Sequence, residues 1–303
     1  MCLSSCLSLT ACTPVSLDSI HLFGSEDTMD WECFDVSIKD RIAHIVLNRP
    51  EKRNSMCASF WTDLPAIVQG IDHNAKARVI VLSSTGPHFS AGIDLEMLAG
   101  DGVGRADRND PQHGAAFIAK VLQLQQSFTA LEQCRIPVIA AMQGGCIGGA
   151  VDLVTACDLR YATSDAFLTI YEINVGMTAD VGTFPRITHL IPEGIARELA
   201  YTGRKMPAKE AKSFGLVNEI FPDQNAMLEG VMKVASNIAS KPPLAIYGCK
   251  RAVTYARDHS TADALDHIGV WNASMLIPQQ ITEAMTAAAE KRAPQFSDLP
   301  IID

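Results

Sequence analysis

From residue 34 onward the chain alternates short apolar runs with longer stretches of helical periodicity. Residues 41–47 (RIAHIVL) form a short β-rich run, closed by Asn48-Arg49-Pro50, which reads as a turn. Apolar residues at helical spacing occupy 59–71, and the nearly continuous apolar run RVIVLS follows at 78–83. A strand buried on both faces has that composition. Residues 117–131 read as a helix with Ile118, Val121, Leu122 and Leu124 on one side, and 137–142 and 159–162 read as strands. Short strands, each followed by a helix, predict an α/β fold around a parallel sheet. Beyond a last strand at 217–221 only helical candidates remain, at 227–240, 243–257, 261–273 and 279–291. No linker rich in Pro, Gly or Ser sets them apart, so their apolar faces require cover from the sheet-bearing part or from another subunit.

Composition narrows the classes. The 303 residues are 48% hydrophobic and 19% charged, which describes a soluble globular protein with ample core material. A net charge of −9 argues against a nucleic-acid surface, while leaving room for an anionic ligand held by a local basic patch. Nine cysteines, an odd number without a CxxC, suit free thiols in a reducing compartment. The eight histidines form no HExxH, and no metal is predicted. No run approaches the ~20 apolar residues of a membrane span. Residues 1–30 are rich in Cys, Ser, Leu and Thr and contain no Lys or Arg, which fits neither a secretory signal nor a transit peptide. They read as a disordered extension, or as an upstream start with Met29 as the functional one. The last residues, Leu-Pro-Ile-Ile-Asp, do not spell the Ser-Lys-Leu peroxisomal address.

The chemistry concentrates in residues 143–183. Two glycine pairs, Gly144-Gly145 and Gly148-Gly149, follow the apolar run 137–142 and precede a helical stretch at 150–156. Amides at such a helix start favour a negative oxygen. Three carboxylates come next in apolar surroundings, Asp152, Glu172 and Asp180. An oxyanion site followed by paired acids is suited to moving protons beside a carbonyl. Each part also admits a plainer role. The glycines can serve a tight turn, Asp152 can be an exposed helix acid, Glu172 a surface strand residue and Asp180 the N-cap of a following helix. With Gln at 143 the stretch is not GxGxxG, so a dinucleotide site gains little support.

The segment QGGCIGGAVDLVTACDLRYATSDAF, with VLNRPEKRNSM at 46–56 and HFSAGIDLEML at 88–98, resembles the crotonase (enoyl-CoA hydratase/isomerase) superfamily. The resemblance runs from about residue 31 to about residue 293. Within it GIDLEML, GGCIGGAVDL, YEINVGMTADVGT and RDHSTADALDH…WNASML are most similar to the Δ3,5-Δ2,4-dienoyl-CoA isomerase branch. That branch carries three acids, at the places of Asp152, Glu172 and Asp180, whereas simple hydratases have glutamates at the first two and lack the third. Ala150 departs from the pattern, where a third glycine is common.

The resemblance implies a crotonase-like spiral of ββα repeats over 31–222, carrying the active site, and a helical C-terminal trimerisation region over 223–303. It implies a homo-trimer, or a hexamer built as a dimer of trimers; the plainer alternative is a monomer with a self-packed helical cap. The N–H groups of Ile93 and Gly149 would form the oxyanion hole. Arg49, Lys52 and Arg53 would lie along CoA, although a solvated loop is the plainer reading of that cluster. Ala91, Asp94 and Gly145 join the expected substrate contacts. Residues 100–113 read as a polar mobile loop and a lid. Met97, Leu98, Phe117, Met177 and Phe184 line an acyl tunnel or simply fill the core.

The implied reaction converts a 3,5-dienoyl-CoA into its 2,4-isomer, in unsaturated fatty-acid β-oxidation. Glu172 would be the C2 base, Asp180 the C6 acid, and Asp152 would tune Glu172. The partner is an acyl-CoA thioester, with no nucleic acid and no membrane; no cofactor is needed, CoA being part of the substrate. Three other readings stay open: a hydratase in which Asp152 and Glu172 activate water, a Δ3,Δ2-enoyl isomerase using one acid, and a non-catalytic RNA-binding homologue. The net charge and the intact acids weigh against the last. The expected location is cytoplasmic for a bacterial source and mitochondrial or peroxisomal for a eukaryotic one.

Overall fold

A computed structural model of the chain describes residues 31–99 and 111–302. The expected extension at 1–30 and most of the expected lid therefore lie outside the described residues. A six-stranded sheet organises the rest, formed by β1 (Phe34–Lys39), β2 (Ile42–Leu47), β3 (Val79–Ser84), β4 (Val138–Met142), β6 (Leu159–Thr163) and β9 (Glu219–Phe221), in the order β1-β2-β3-β4-β6-β9. The first pair is antiparallel and every later pair parallel. A second sheet joins β5 (Gly145–Ile147), β7 (Phe167–Thr169) and β8 (Met206–Pro207), with β5 parallel and β8 antiparallel to the middle strand.

The run at 78–83 forms β3, buried along its whole length, as its composition requires. Its alternate residues serve two cores. Ile80 and Leu82 join Phe60, Leu64, Ile67 and Phe128 from α1 (Phe60–His73) and α3 (Pro111–Gln133). Val79 and Val81 face Met227, Val231 and Ala235 of α8 (Gln224–Ala239) on the other side. The sheet is thus sandwiched between helices on both faces. Helix α8 starts on a side-chain cap, Asp223 Oδ1 accepting the Ala226 N–H at 2.9 Å. Among the described residues no helix is long and apolar enough to cross a membrane.

Several elements depart from the sequence reading, which had no strand at β5, β7 or β8 because none of the three is a long apolar run. Strand β1 was not expected, although Phe34, Val36 and Ile38 alternate with Asp35, Ser37 and Lys39. It joins β2 through Asp40 and Arg41, both left-handed at φ 50° and 63°, without the glycine that announces such a hairpin. Helix α3 already includes residues 111–113, expected in the loop, because Pro111 suits a first helical position.

Buried cations pin the tail to this frame. Arg78 donates to the carbonyls of Ala239 (2.9 Å) and Phe296 (2.6 Å) and to Asp298 (2.6 Å). Arg135 pairs with Asp72 at 3.0 Å and donates to the Pro300 carbonyl at 2.7 Å. The final helices are α9 (Pro243–Asp258), α10 (Thr261–Met275) and α11 (Pro278–Glu290). Trp271 of α10 meets Tyr247 of α9 edge-on at 5.1 Å. No residue of α10 is buried within this chain, and Leu265, Val270 and Met285 stay exposed.

Candidate active site

The site begins where β5 ends. Gly148 takes φ +57°, open to glycine at no steric cost, and turns the chain into α4 (Gly149–Thr155). Gly149 is the first helical residue, so its N–H has no upstream helical carbonyl to meet. The segment 88–94 lies against this turn. Ser90 bridges to Cys146, and Met56 bridges to Ile93 by exchanging hydrogen bonds with its neighbours: the Met56 N–H donates to the Gly92 carbonyl (2.8 Å) and the Asp94 N–H to the Met56 carbonyl (3.0 Å). A β-carbon at Gly92 would sit 2.5 Å from the Ile147 carbonyl oxygen and 3.1 Å from the Gly149 nitrogen, so only glycine allows this approach. One at Gly149 would lie 3.8 Å from the Ile93 nitrogen. The two expected oxyanion donors are therefore close neighbours, on two separate segments.

The acids arrive from three directions. Asp152, on α4, is fully buried; its Oδ1 accepts the Thr183 N–H at 2.6 Å and its Oδ2 has no partner. Glu172 sits in a 3₁₀ turn, Tyr171–Val175, with its carboxyl against Gly148. A β-carbon at Gly148 would stand 3.2 Å from Glu172 Oε1, and Oε2 is buried without a partner. Asp180 follows on an irregular segment whose position is fixed by α3, Gln125 Nε2 donating to the Asp180 carbonyl at 2.7 Å. As a residue Asp180 is exposed, with its carboxyl partly desolvated at the mouth of the cavity.

Burial pushes the Asp152 carboxyl up to about 7, helped by the charge of Glu172 and opposed by the Thr183 amide. Desolvation also raises Glu172, opposed in part by main-chain amides and assisted by Asp180, and it raises Asp180 in turn. Three acids whose protonation states depend on one another titrate as a unit. One can hold a proton near neutrality while another has lost it.

One apolar cavity collects most of the expected groups. Ile93, Gly149, Glu172 and Asp180 line it, with Trp61, Phe117, Lys120, Leu124 and Met177. Asp152 does not line it, though its carboxyl feels the charge of Glu172. Of the proposed tunnel residues, Phe117 and Met177 line this space, Phe184 lines a neighbouring polar cleft that also touches Asp180, and Met97 packs on the core. The Leu98 side chain lies outside the described residues. Lys120 and Gln125 gave no signal in the sequence beyond being polar positions on a helix; only their placement on α3 brings them here. The capping role open to Asp180 belongs to Asp152, which reaches from another helix to the first amide of α5 (Thr183–Ile187). Glu172, open to reading as a strand residue, lies in the 3₁₀ turn instead.

The basic cluster divides. Arg49 turns inward, donating to the Ser55 carbonyl at 2.9 Å and standing 3.6 Å from Asp94. Lys52 and Arg53 are exposed, Lys52 lying 3.8 Å from Glu96. Asp94 is buried; it accepts the Glu96 N–H (3.0 Å) and the Ser55 hydroxyl (2.8 Å), and these donors with Arg49 hold its carboxyl below the usual range against the cost of desolvation. It caps α2 (Leu95–Ala99). The Ala91 N–H donates to the Arg53 carbonyl, and the buried Gly145 gives its N–H to His88 Nδ1 at 3.0 Å.

Known proteins resemble this chain in sequence and fold. A family model described as "Enoyl-CoA hydratase/isomerase" matches residues 37–299. A rat protein named Delta(3,5)-Delta(2,4)-dienoyl-CoA isomerase, mitochondrial, is 43% identical over 84% of this chain and 79% of its own length. An Arabidopsis thaliana protein of the same activity, named peroxisomal, is 39% identical over 85% and 93%. Among solved structures, an enoyl-CoA hydratase from Bacillus anthracis superposes with a TM-score of 0.78 at 30% identity, over 88% of this chain and 99% of that one. A putative enoyl-CoA hydratase from Streptomyces coelicolor A3(2) reaches 0.80 at 25% identity, over 91% and 98%.

Proposed function

This chain belongs to the enoyl-CoA hydratase/isomerase family, and from that premise we propose that it isomerises 3,5-dienoyl-CoA to 2,4-dienoyl-CoA by moving a proton from C2 to C6. The observation that carries the reading is the single apolar cavity lined at once by Ile93, Gly149, Glu172 and Asp180. The thioester oxygen rests on the Ile93 and Gly149 amides. Glu172, ionised, takes a C2 proton, and the electron pair moves into the carbonyl to give an enolate conjugated through the diene to C6. The two amides stabilise the negative oxygen as it forms. Asp180, protonated, delivers its proton to C6, and the double bonds settle at C2–C3 and C4–C5. One turnover leaves Glu172 protonated and Asp180 ionised; after product leaves, Glu172 gives its proton to water entering the cavity and Asp180 takes one up, which restores the starting state.

Asp152 acts through Glu172. Their like charges disfavour joint ionisation, so a proton on Asp152 leaves Glu172 free to serve as base. The chemistry needs no cofactor. Lys52 and Arg53, exposed beside the cavity segment 88–94, are the cations available to CoA phosphates, while Arg49, Asp94, Ala91 and Gly145 shape that loop from within. Assembly as a trimer, or a dimer of trimers, would cover the exposed apolar residues of α10 and α11; a monomeric mass by light scattering would refute it.

The test is a spectrophotometric assay with 3,5-octadienoyl-CoA, following the conjugated 2,4-product. The parent should turn it over and should add water poorly to 2-enoyl-CoA. Hydration without isomerisation would favour the hydratase reading, in which Asp180 has no part.

A further inference from the structure

Two thiols stand together away from the acids. Cys33 lies just ahead of β1 and Cys57 three residues ahead of α1, 24 positions apart, and their Sγ atoms are 2.8 Å from each other. Among the described residues this is the one sulfur–sulfur contact. The Ser59 hydroxyl lies 3.1 Å from Cys57 Sγ and 3.6 Å from Cys33 Sγ, and the Arg49 guanidinium favours negative charge on both sulfurs. The remaining described thiols differ. Cys134 bonds to the carbonyls of Leu131 and Ile136, Cys146 and Cys157 are buried, and Cys249 is exposed.

We propose that Cys33 and Cys57 are an oxidant-sensitive pair that closes to a disulfide, a modification site separate from the acyl cavity. Cys57 is partly exposed and Cys33 buried, so the oxidant meets Cys57 first. With a hydroperoxide as oxidant the Cys57 sulfur takes one peroxide oxygen and becomes a sulfenic acid, and the other oxygen leaves as water or alcohol. The Cys33 sulfur then attacks the Cys57 sulfur; the S–O bond breaks and the hydroxyl leaves as water with the Cys33 proton. Burial and the neighbouring thiol push Cys33 up to about 12, which slows its deprotonation, while a partner already in contact makes the attack effectively unimolecular. A covalent S–S bond is about 2.0 Å long, so closure asks for a movement of less than an ångström between the sulfurs. The bond would tie the start of β1 to the residue following Met56, whose pairing with Gly92 and Asp94 brackets the Ile93 amide.

The full chain treated with hydrogen peroxide, then alkylated and digested, tests this. The expected product is a cross-linked peptide joining Cys33 to Cys57, lighter by two hydrogens and reopened by dithiothreitol. Cys33→Ser should leave Cys57 as a sulfenic acid trapped by dimedone, with native circular dichroism showing that the variant folds. Dimedone capture of Cys57 in the parent with Cys33 still alkylatable would overturn the proposal. So would pairing of either residue with another cysteine, or a bond that appears only in urea.

Discussion

The carboxyl of Asp152 accepts the main-chain N–H of Thr183 at 2.6 Å, so one of the three site acids also begins the helix after Asp180. The bond satisfies one oxygen and leaves the other bare in the interior. Unfolded, this acid has an ordinary value of 3.8; folded, it holds its proton up to about 7. Between those values the native state binds a proton that the unfolded state has lost, so stability falls as pH rises and levels off above about 7. The gap corresponds to at most about 4 kcal/mol, shared with Glu172. Asp152→Asn keeps the acceptor for Thr183 and removes the charge. Urea unfolding of this variant should show a flatter pH dependence between pH 4 and 7 and higher stability than the parent at pH 8. An unchanged profile would mean that Asp152 is ionised throughout.

Asp180 should separate two half-reactions. Asp180→Asn should lose isomerisation by on the order of 10²–10⁴-fold, the range for a general acid. Glu172 and the two amides remain, so deuterium should still wash into C2 when substrate is held in heavy water. Isomerisation at the parent rate would remove Asp180 from C6. Loss of both signals would place it at C2 instead.

The proposed oxyanion donors are backbone groups, which gives a contrast between positions. Gly149→Pro removes an N–H at a first helical position where proline fits the helix, and kcat should fall about 10²–10³-fold, or about 3–4 kcal/mol. Ile93→Ala keeps its N–H and should stay near the parent rate. Equal losses in both would point to side-chain packing rather than to the amides.

Gly148 carries a fourth expectation. An added methyl group would meet Glu172 Oε1 at 3.2 Å, at φ +57° and ψ −124°, a conformation outside the left-handed helical region that costs an L residue on the order of 1–3 kcal/mol. Gly148→Ala should lower Tm by a few degrees and depress kcat more than KM, since the base moves and the cavity does not. A parent-like kcat would show that this turn does not place Glu172.

Much of this was legible in the residues. The run at 78–83 reads as a strand buried on both faces and 137–142 as a strand, and the glycines before 150–156 read as a turn into a helix, though the short strand β5 between the two pairs was hidden. The acids were visible as Asp152, Glu172 and Asp180, but not their different burial. Asp152 is enclosed because α4 points inward, and no local pattern records that. Strand β1 escaped because its hairpin uses Asp40 and Arg41 where glycine or asparagine would have signalled a turn. The inward turn of Arg49 was hidden too: its partners, Ser55 and Asp94, come from both the same loop and a segment some forty residues on. Lys120 reaches the cavity, and Gln125 the neighbouring cleft, through the packing of α3 alone.

Arg78 and Arg135 hold the carbonyls of Phe296 and Pro300, and Arg78 also holds Asp298. Two buried charges just ahead of β3 and β4 thus wait for the most distant stretch of polypeptide, and long closures of this kind slow folding. Until that stretch docks, both guanidinium groups have to keep company with water, which keeps that flank ajar. Deleting residues 296–303 should leave the flank open to amide hydrogen exchange at β3, while full protection in the shortened chain would show that solvent serves the arginines as well as the tail does.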